Sequence, residues 1–285
     1  MPPRVTVITA TYNWSSVLPY SMGSVIRQTF SDFEMLVVGD GCTDDSESVV
    51  RAAGDSRVRW INLPENSKHQ SGPNNEGLRQ ARGEIIAYLG HDDLWFPHHL
   101  HEIVAAIDRG SDYVATIGAA ILLDGTPTAL RTSIPPRSVT PSTFAHKASV
   151  TRAIGGWTPY TETREHPETD LVRRMNAARF RFARVPRLTA LKFSAGLRKD
   201  VYALRPSHEQ AEWFARSGSE SELEAEILAR WLLDGDPSFS VAWRDIATHF
   251  TRETLRRLAR RAQLLLHGKR PGPQPIDEIR AFKGL

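Results

Sequence analysis

Apolar and polar positions come in blocks along the first hundred residues, and the blocks have the lengths of strands and helices. Val5–Thr9 (VTVIT) is an uninterrupted, β-branched run, the pattern of a strand covered on both faces. The polar stretch T-Y-N-W-S-S follows, and then Val17, Leu18, Met22, Val25 and Ile26 fall at helical spacing. Met35–Val38 predicts a second strand, ending at G-D-G-C-T-D-D, whose turn residues lead into a helix over Ser46–Ala53. Val58–Leu63 predicts a third strand. A polar stretch over Glu65–Asn75 separates it from a short helix near Glu76–Arg82. Ile85–Leu89 is a fourth strand, Pro97 stands at the first position of a helix running to Ile107, and Tyr113–Ile117 is a fifth strand.

Strands alternating with helices through short connections predict an α/β fold with a parallel sheet and right-handed crossovers. In such sheets ligands bind beyond the carboxyl ends of the strands. T-Y-N, D-G-C-T-D and H-D-D each follow a predicted strand, so they are expected to converge on one rim. The middle of the chain, about 118–205, is less regular and carries G-G-W at 155–157 and a helix start in E-H-P-E-T-D-L-V-R-R-M. The last part is helical, with Leu223, Ile227, Leu228 and Trp231 spaced on one face and a second, arginine-rich helix over Arg252–Leu266.

Composition narrows the class. The chain has 285 residues, 40% hydrophobic and 24% charged, enough to bury a sizeable core. A formal net charge of +3 is too weak a bias to imply nucleic acid as a partner. The lone cysteine, Cys42, rules out a disulfide framework and a cysteine-based zinc site. It reads as a small turn residue. The first apolar run is short and strand-like rather than a leader, and no segment has the roughly 18 apolar residues of a membrane span. These features predict a cytoplasmic protein, one that can still touch the inner face of the membrane through the basic amphipathic helix. The competing reading packs that helix's leucines on the catalytic domain.

The chemistry sits on the predicted rim. Asp92 and Asp93 at a strand end offer hard oxygen donors suited to Mg²⁺ or Mn²⁺ shared with a substrate's phosphates. Asp40 can accept hydrogen bonds from a ribose or base, and Tyr12 offers a flat face. A nucleotide diphosphate would satisfy all of them. The bland alternative makes Asp92 or Asp93 a cap for the helix that follows. His98, His99 and His101 read as solvated first-turn residues, since their spacing is not that of two ligands on one helix face.

V-T-V-I-T-A-T-Y-N, V-V-G-D-G-C-T-D-D and N-N-E-G-L-R-Q-A-R-G-E-I-I-A-Y-L-G-H-D-D-L-W-F-P, in this order and spacing, resemble the family 2 glycosyltransferases of GT-A fold. G-G-W followed by P-E-T-D-L-V-R-R extends the likeness to about residue 175. The resemblance implies a GT-A-like, Rossmann-type mixed sheet flanked by helices. It implies a nucleotide-sugar-binding half over 1–110 and an acceptor-binding half over 111–205; the apolar spacing, not the resemblance, predicts a helical extension over 206–285. It further implies transfer of a sugar, with inversion, from a UDP-, GDP- or dTDP-sugar to an acceptor hydroxyl on a carbohydrate or lipid-linked acceptor, in polysaccharide or glycoconjugate assembly.

Carried over residue by residue, the resemblance assigns Thr11, Tyr12 and Asn13 to the base and Asp40 to the nucleoside. Asn75 and Gly77 fall in a loop over the nucleotide. Asp92 and Asp93 take the metal and the sugar diphosphate, and Gly156 and Trp157 the sugar and acceptor pocket. Trp157 has a second reading as core, and Gly155-Gly156 as a turn of positive φ. The base is Glu168 or Asp170. Two apart on a helix, they point about 200° away from each other, so they cannot both face the sugar. The alternative role for both is to sit against the helix dipole.

Two positions depart from the family pattern. Gly90 stands where an acid is common, so metal ligation rests on Asp92 with Asp93. Asn74 stands where arginine is frequent. A sugar nucleotidyltransferase is the nearer rival, but the loop after the first strand lacks the glycines and cation that cradle a triphosphate. A non-catalytic nucleotide-sugar-binding module is the other.

Overall fold

The computed structural model describes residues 1–130, 134–217, 220–233 and 280–284. The arginine-rich segment 252–266 lies outside these residues. Four parallel strands come first: β1 (Val5–Thr11), β2 (Phe33–Gly39), β3 (Val58–Asn62) and β4 (Ile85–Tyr88). They alternate with α1 (Leu18–Ile26), α2 (Ser46–Ala52) and α3 (Ser71–Gln80). The short β5 (Leu94–Trp95) and α4 (His99–Asp108) lead into β6 (Tyr113–Ile121), β7 (Pro127–Leu130) and β8 (Phe144–Lys147). Next come α5 (Ala148–Ile154), α6 (Pro167–Ala177), β9 (Phe182–Lys192), and then α7 (Val201–Leu204), α8 (His208–Arg216) and α9 (Glu220–Leu233).

The nine strands among the described residues join one mixed sheet, in the order β3-β2-β1-β4-β8-β6-β9-β5, with β7 on β6. β8 enters antiparallel between β4 and β6, while β9 runs parallel to β6 and antiparallel to β5. The uninterrupted apolar strands have the expected cause. Val5 and Val7 of β1 and Met35 and Val37 of β2 face a core shared with α1 and α4, whereas Ile8, Leu36 and Val38 face a second core with Leu171, Val172 and Met175 of α6. With both faces covered, alternation disappears.

Four local expectations need correction. α3 begins at Ser71 rather than near Glu76, because its first turn is polar and holds Pro73, which the early positions of a helix accept. α4 starts at His99, so Pro97 stands before its cap, His98, and not at its first position. His99 is fully buried instead of solvated: its ring stacks on Trp95 at 3.9 Å, and its Nδ1 meets the Thr189 hydroxyl at 2.7 Å. In α9, Leu223 and Ile227 are buried and Trp231 is partly buried against the same core, but Leu228 is exposed. Among the described residues no helix is long and apolar enough to cross a membrane.

Candidate active site

The carboxyl ends of β1, β2 and β4 open onto a cleft of about 510 Å³, and the three polar clusters predicted to meet do meet there. Thr11 and Tyr12 come from the end of β1, Asp40 from the end of β2, and Gly90, His91, Asp92 and Asp93 from the end of β4. The loop 66–70, the start of α6 at Glu168, the end of β9 at Lys192 and the turn 280–284 complete the wall.

The two adjacent aspartates differ. Asp93 is wholly buried and fully engaged: Oδ2 accepts from the Ser142 hydroxyl and from Lys192 Nζ at 3.0 Å, and Oδ1 accepts the Phe193 backbone N–H at 3.0 Å. Asp92 is 7% exposed, and no other described residue donates to its carboxylate, although its backbone carbonyl accepts from Gln210 of α8 at 3.2 Å. Burial, reinforced by the Asp93 charge and opposed by Lys192, pushes the Asp92 carboxyl up to about 6. Burial also acts against the Lys192 ammonium, but Asp93 and Asp92 outweigh it and hold that ammonium above its usual value. His91 is packed edge-on against Trp14; its Nδ1 meets the Thr11 hydroxyl at 2.8 Å and its Nε2 the Tyr202 hydroxyl at 3.3 Å. Burial keeps it neutral, with its pKa pushed down to about 4.

The nucleoside-side residues divide as well. Asp40 accepts the Ser67 backbone N–H on Oδ1 at 2.8 Å and lines the cleft. Tyr12 lies on the same wall. Asn13 does not line the cleft. In the left-handed region at φ 44°, it accepts the backbone N–H groups of Thr43 and Asp44 at 2.7 and 3.2 Å, stapling the loop after β1 to the loop after β2. Cys42 sits in that staple as a turn residue, its Sγ accepting the Asn13 N–H at 3.3 Å.

Asn75 likewise faces away from the cleft. Its side-chain amide donates to the Trp157 carbonyl and accepts the Trp157 N–H, both at 2.8 Å. Gly155, at φ 84°, ends α5, and a Cβ on Gly156 would stand 2.2 Å from Asn75 Oδ1. The G-G-W motif is therefore shaped by a close approach to α3. Trp157 itself is 1% exposed and packs edge-on against Tyr88 in the core. Gly77 leaves room for Ile8, whose Cγ2 would lie 2.6 Å from an added Cβ.

The two acids of α6 point apart as the helical geometry requires. Glu168 lines the cleft, where its Oε2 accepts from Gln70 Nε2 at 3.1 Å. Asp170 is 4% exposed on the opposite side: it accepts from Thr158 Oγ1 at 2.6 Å and Arg174 Nε at 2.8 Å, and it pairs with Arg173. Burial would raise its pKa, but the Thr158 hydrogen bond and the Arg174 charge outweigh it and hold the carboxyl below its usual range.

Lys192, Ser142, Arg280 and Lys283 belong to the cleft and were not found by motif. Lys192 had a visible signal, a cation closing the apolar run L-T-A-L of β9. Arg280 and Lys283 had none, since nothing local places a distant turn on this rim.

Comparisons with known proteins agree with this geometry. The family model described as Glycosyl transferase family 2 matches residues 6–182. An uncharacterized glycosyltransferase of Nostoc sp. is 34% identical over 123 residues, covering 43% of this chain and 38% of that protein. A UDP-Glc:alpha-D-GlcNAc-diphosphoundecaprenol beta-1,3-glucosyltransferase of Escherichia coli is 33% identical over 96 residues, covering 34% of this chain and 38% of its own length. The chain thus spans little more than a third of these relatives. Among solved structures, S. aureus TarS in complex with UDP-GlcNAc superposes with a TM-score of 0.59 at 19% identity, over 84% of this chain and 75% of that one. The mannosyltransferase PcManGT of Pyrobaculum calidifontis, in complex with GDP-Man and Mn²⁺, gives 0.56 at 18% identity, over 88% and 81%. The fold is that of the GT-A glycosyltransferases.

Proposed function

The chain belongs to glycosyl transferase family 2, and from that premise we propose that its cleft transfers a sugar from a nucleoside diphosphate to an acceptor hydroxyl, with inversion, in polysaccharide or glycoconjugate assembly. The observation that carries the reading is the meeting of Asp40, the unshielded Asp92 carboxylate and Glu168 around one cleft.

Each residue has a task in this reading. Asp40, with one oxygen fixed by Ser67, presents the other to the base or ribose, and Tyr12 flanks it. Thr11 acts by locking the neutral His91 ring through its hydroxyl, which sets the backbone from which Asp92 projects. Asn13 and Asn75 position loops. Asp93 fixes Lys192 at the cleft wall rather than meeting the sugar or a cation with its own oxygens. Gly156 and Trp157 shape the wall from behind.

The metal question turns on the donor set. Among the described residues no three His, Cys, Asp or Glu side chains gather to hold an ion, and both Asp93 oxygens already accept hydrogen bonds. One carboxylate together with substrate phosphates and water is nonetheless a set that Mg²⁺ accepts. The residues fit an ion shared with the donor and held by Asp92. Such an ion would neutralise charge on the departing diphosphate.

Glu168 is the base. It takes the proton of the acceptor hydroxyl as that oxygen bonds to the anomeric carbon. The bond from that carbon to the diphosphate oxygen breaks, and the nucleoside diphosphate leaves with the electron pair. Asp170, committed to Arg173, Arg174 and Thr158, takes no part. The E. coli relative acts on a diphosphoundecaprenol-linked sugar, which supports a lipid-linked or carbohydrate acceptor here and work at the inner face of the membrane.

The test is turnover with UDP-, GDP- and dTDP-sugars and Mn²⁺. Wild type is expected to release a nucleoside diphosphate from one of them, and Asp92→Asn to lose the stimulation by Mn²⁺ while still binding the nucleoside. Nucleotide binding without any turnover would overturn the catalytic reading. Mn²⁺ stimulation that survives Asp92→Asn would overturn the metal assignment.

A further inference from the structure

We infer that the turn formed by residues 280–284 supplies Arg280 and Lys283 as fixed counter-charges for the donor's diphosphate, an inference that rests on the nucleotide-sugar reading above. The turn is docked on the rim by backbone contacts. The Asp200 N–H donates to the Phe282 carbonyl at 2.9 Å, and Gly284, at φ 79°, lies against Ala203, whose Cβ would stand 3.1 Å from an added one. Both contacts fall on α7 or the residue before it. α7 also carries Tyr202, whose hydroxyl reaches His91 Nε2 at 3.3 Å. One continuous set of contacts therefore runs from the turn to the H-D-D motif.

From that position Arg280 and Lys283, both half-buried, line the cleft together with Asp92, Lys192 and Glu168. Lys192 is already committed to Asp93 at 3.0 Å. The side chains of Arg280 and Lys283, by contrast, make no ion pair with a described residue. A half-buried cation with no ion-pair partner recovers only part of its lost hydration until an anion arrives.

Asp92 and Glu168 attract the Lys283 ammonium across the cleft, but neither forms an ion pair with it, and burial outweighs their attraction. Asp92 faces the same space but stays unpaired, and Glu168 is bonded to Gln70. A sugar-linked diphosphate brings a negative charge on each phosphate, and its leaving form gains one more as the anomeric bond breaks. Two cations held in place beforehand stabilise that added charge with no reorganisation at the moment of reaction. Such fixed charges matter most where the acidic motif is thin, and here position 90 is glycine and both Asp93 oxygens are engaged.

The experiment compares a nucleoside with its diphosphate. Calorimetry with UDP, GDP and dTDP, and with uridine, guanosine and thymidine, is run on wild type, Lys283→Gln, Arg280→Gln and Lys283→Arg, in EDTA and again with Mn²⁺. For the diphosphate that wild type binds, each glutamine variant is expected to lose about tenfold in affinity in EDTA, the size of a lost charge-assisted hydrogen bond. The matching nucleoside should bind all four proteins alike, and Lys283→Arg should recover most of the loss. Glutamine variants that bind the diphosphate as wild type does would overturn the inference alone. So would equal losses for nucleoside and diphosphate, which would make the turn a structural element. Wild type that binds none of the three diphosphates would overturn the donor reading, and this inference with it.

Discussion

Glu168 and Asp170 lie two residues apart on α6, and the proposed mechanism gives their substitution opposite consequences. Glu168→Gln keeps the shape of the side chain and its contact with Gln70, which can turn its amide to suit, but removes the proposed proton acceptor from the cleft. Loss of a positioned base costs roughly 10²- to 10⁴-fold in turnover, with unfolding unchanged within about 0.5 kcal/mol. Asp170→Asn leaves the cleft untouched and breaks a buried network. The carboxylate is 6% exposed on its side chain and Arg174 21%, so that pair is poorly screened. Arg173 is 58% exposed, and its share is discounted for solvent. Together with the weakened Thr158 hydrogen bond, the expected destabilisation is about 2–4 kcal/mol. Urea unfolding followed by tryptophan fluorescence measures the second quantity, and nucleoside diphosphate release at saturating donor and acceptor measures the first. If Glu168→Gln turns over within about threefold of wild type, far inside the range for a lost base, while Asp170→Asn is stable and inactive, the assignment of the base is wrong.

Two further outcomes follow from buried groups. Asn75→Ala removes both hydrogen bonds to the Trp157 backbone and should cost about 2–4 kcal/mol, seen as a lower melting temperature with nucleotide affinity intact; an unchanged melting temperature with weakened nucleotide binding would instead put Asn75 over the nucleotide. Stability should also fall with acid. His91 and His146 are buried with pKa values near 4 against 6.5 unfolded, so the unfolded chain binds more protons between those values and stability is lost as pH drops through that window. Asp92, raised to about 6, acts in the opposite sense, leaving a net loss on the order of 2 kcal/mol between pH 7 and pH 5 from these three groups. A urea midpoint that holds or rises at pH 5 would refute this account.

Periodicity alone revealed the parallel half of the sheet and the rim on which Tyr12, Asp40 and Asp92 meet, because covered strands and the turns that end them are local features. It did not reveal β8 and β5, which are short and pair with strands distant in sequence. Residue type also could not separate Asp92 from Asp93. Their difference is made by Ser142, Lys192 and Phe193, about 50 to 100 positions away. Asn13, Asn75 and Trp157 show the same limit: their types suit a ligand, but their partners are the protein's own loops and core.

The anchoring of Asp93 also bears on whether the molecule is modular. Its three partners, Ser142, Lys192 and Phe193, all lie beyond residue 110, and β4 and β5 close the sheet only against β8 and β9. A fragment ending near residue 110 would leave Asp93 without any of these donors, and β4 and β5 without β8 and β9. Residues 1–110 are therefore not expected to fold as an independent cassette. A chimera that exchanges the acceptor side must carry the serine, the lysine and the strand end that hold Asp93, or it replaces the support of its own catalytic rim.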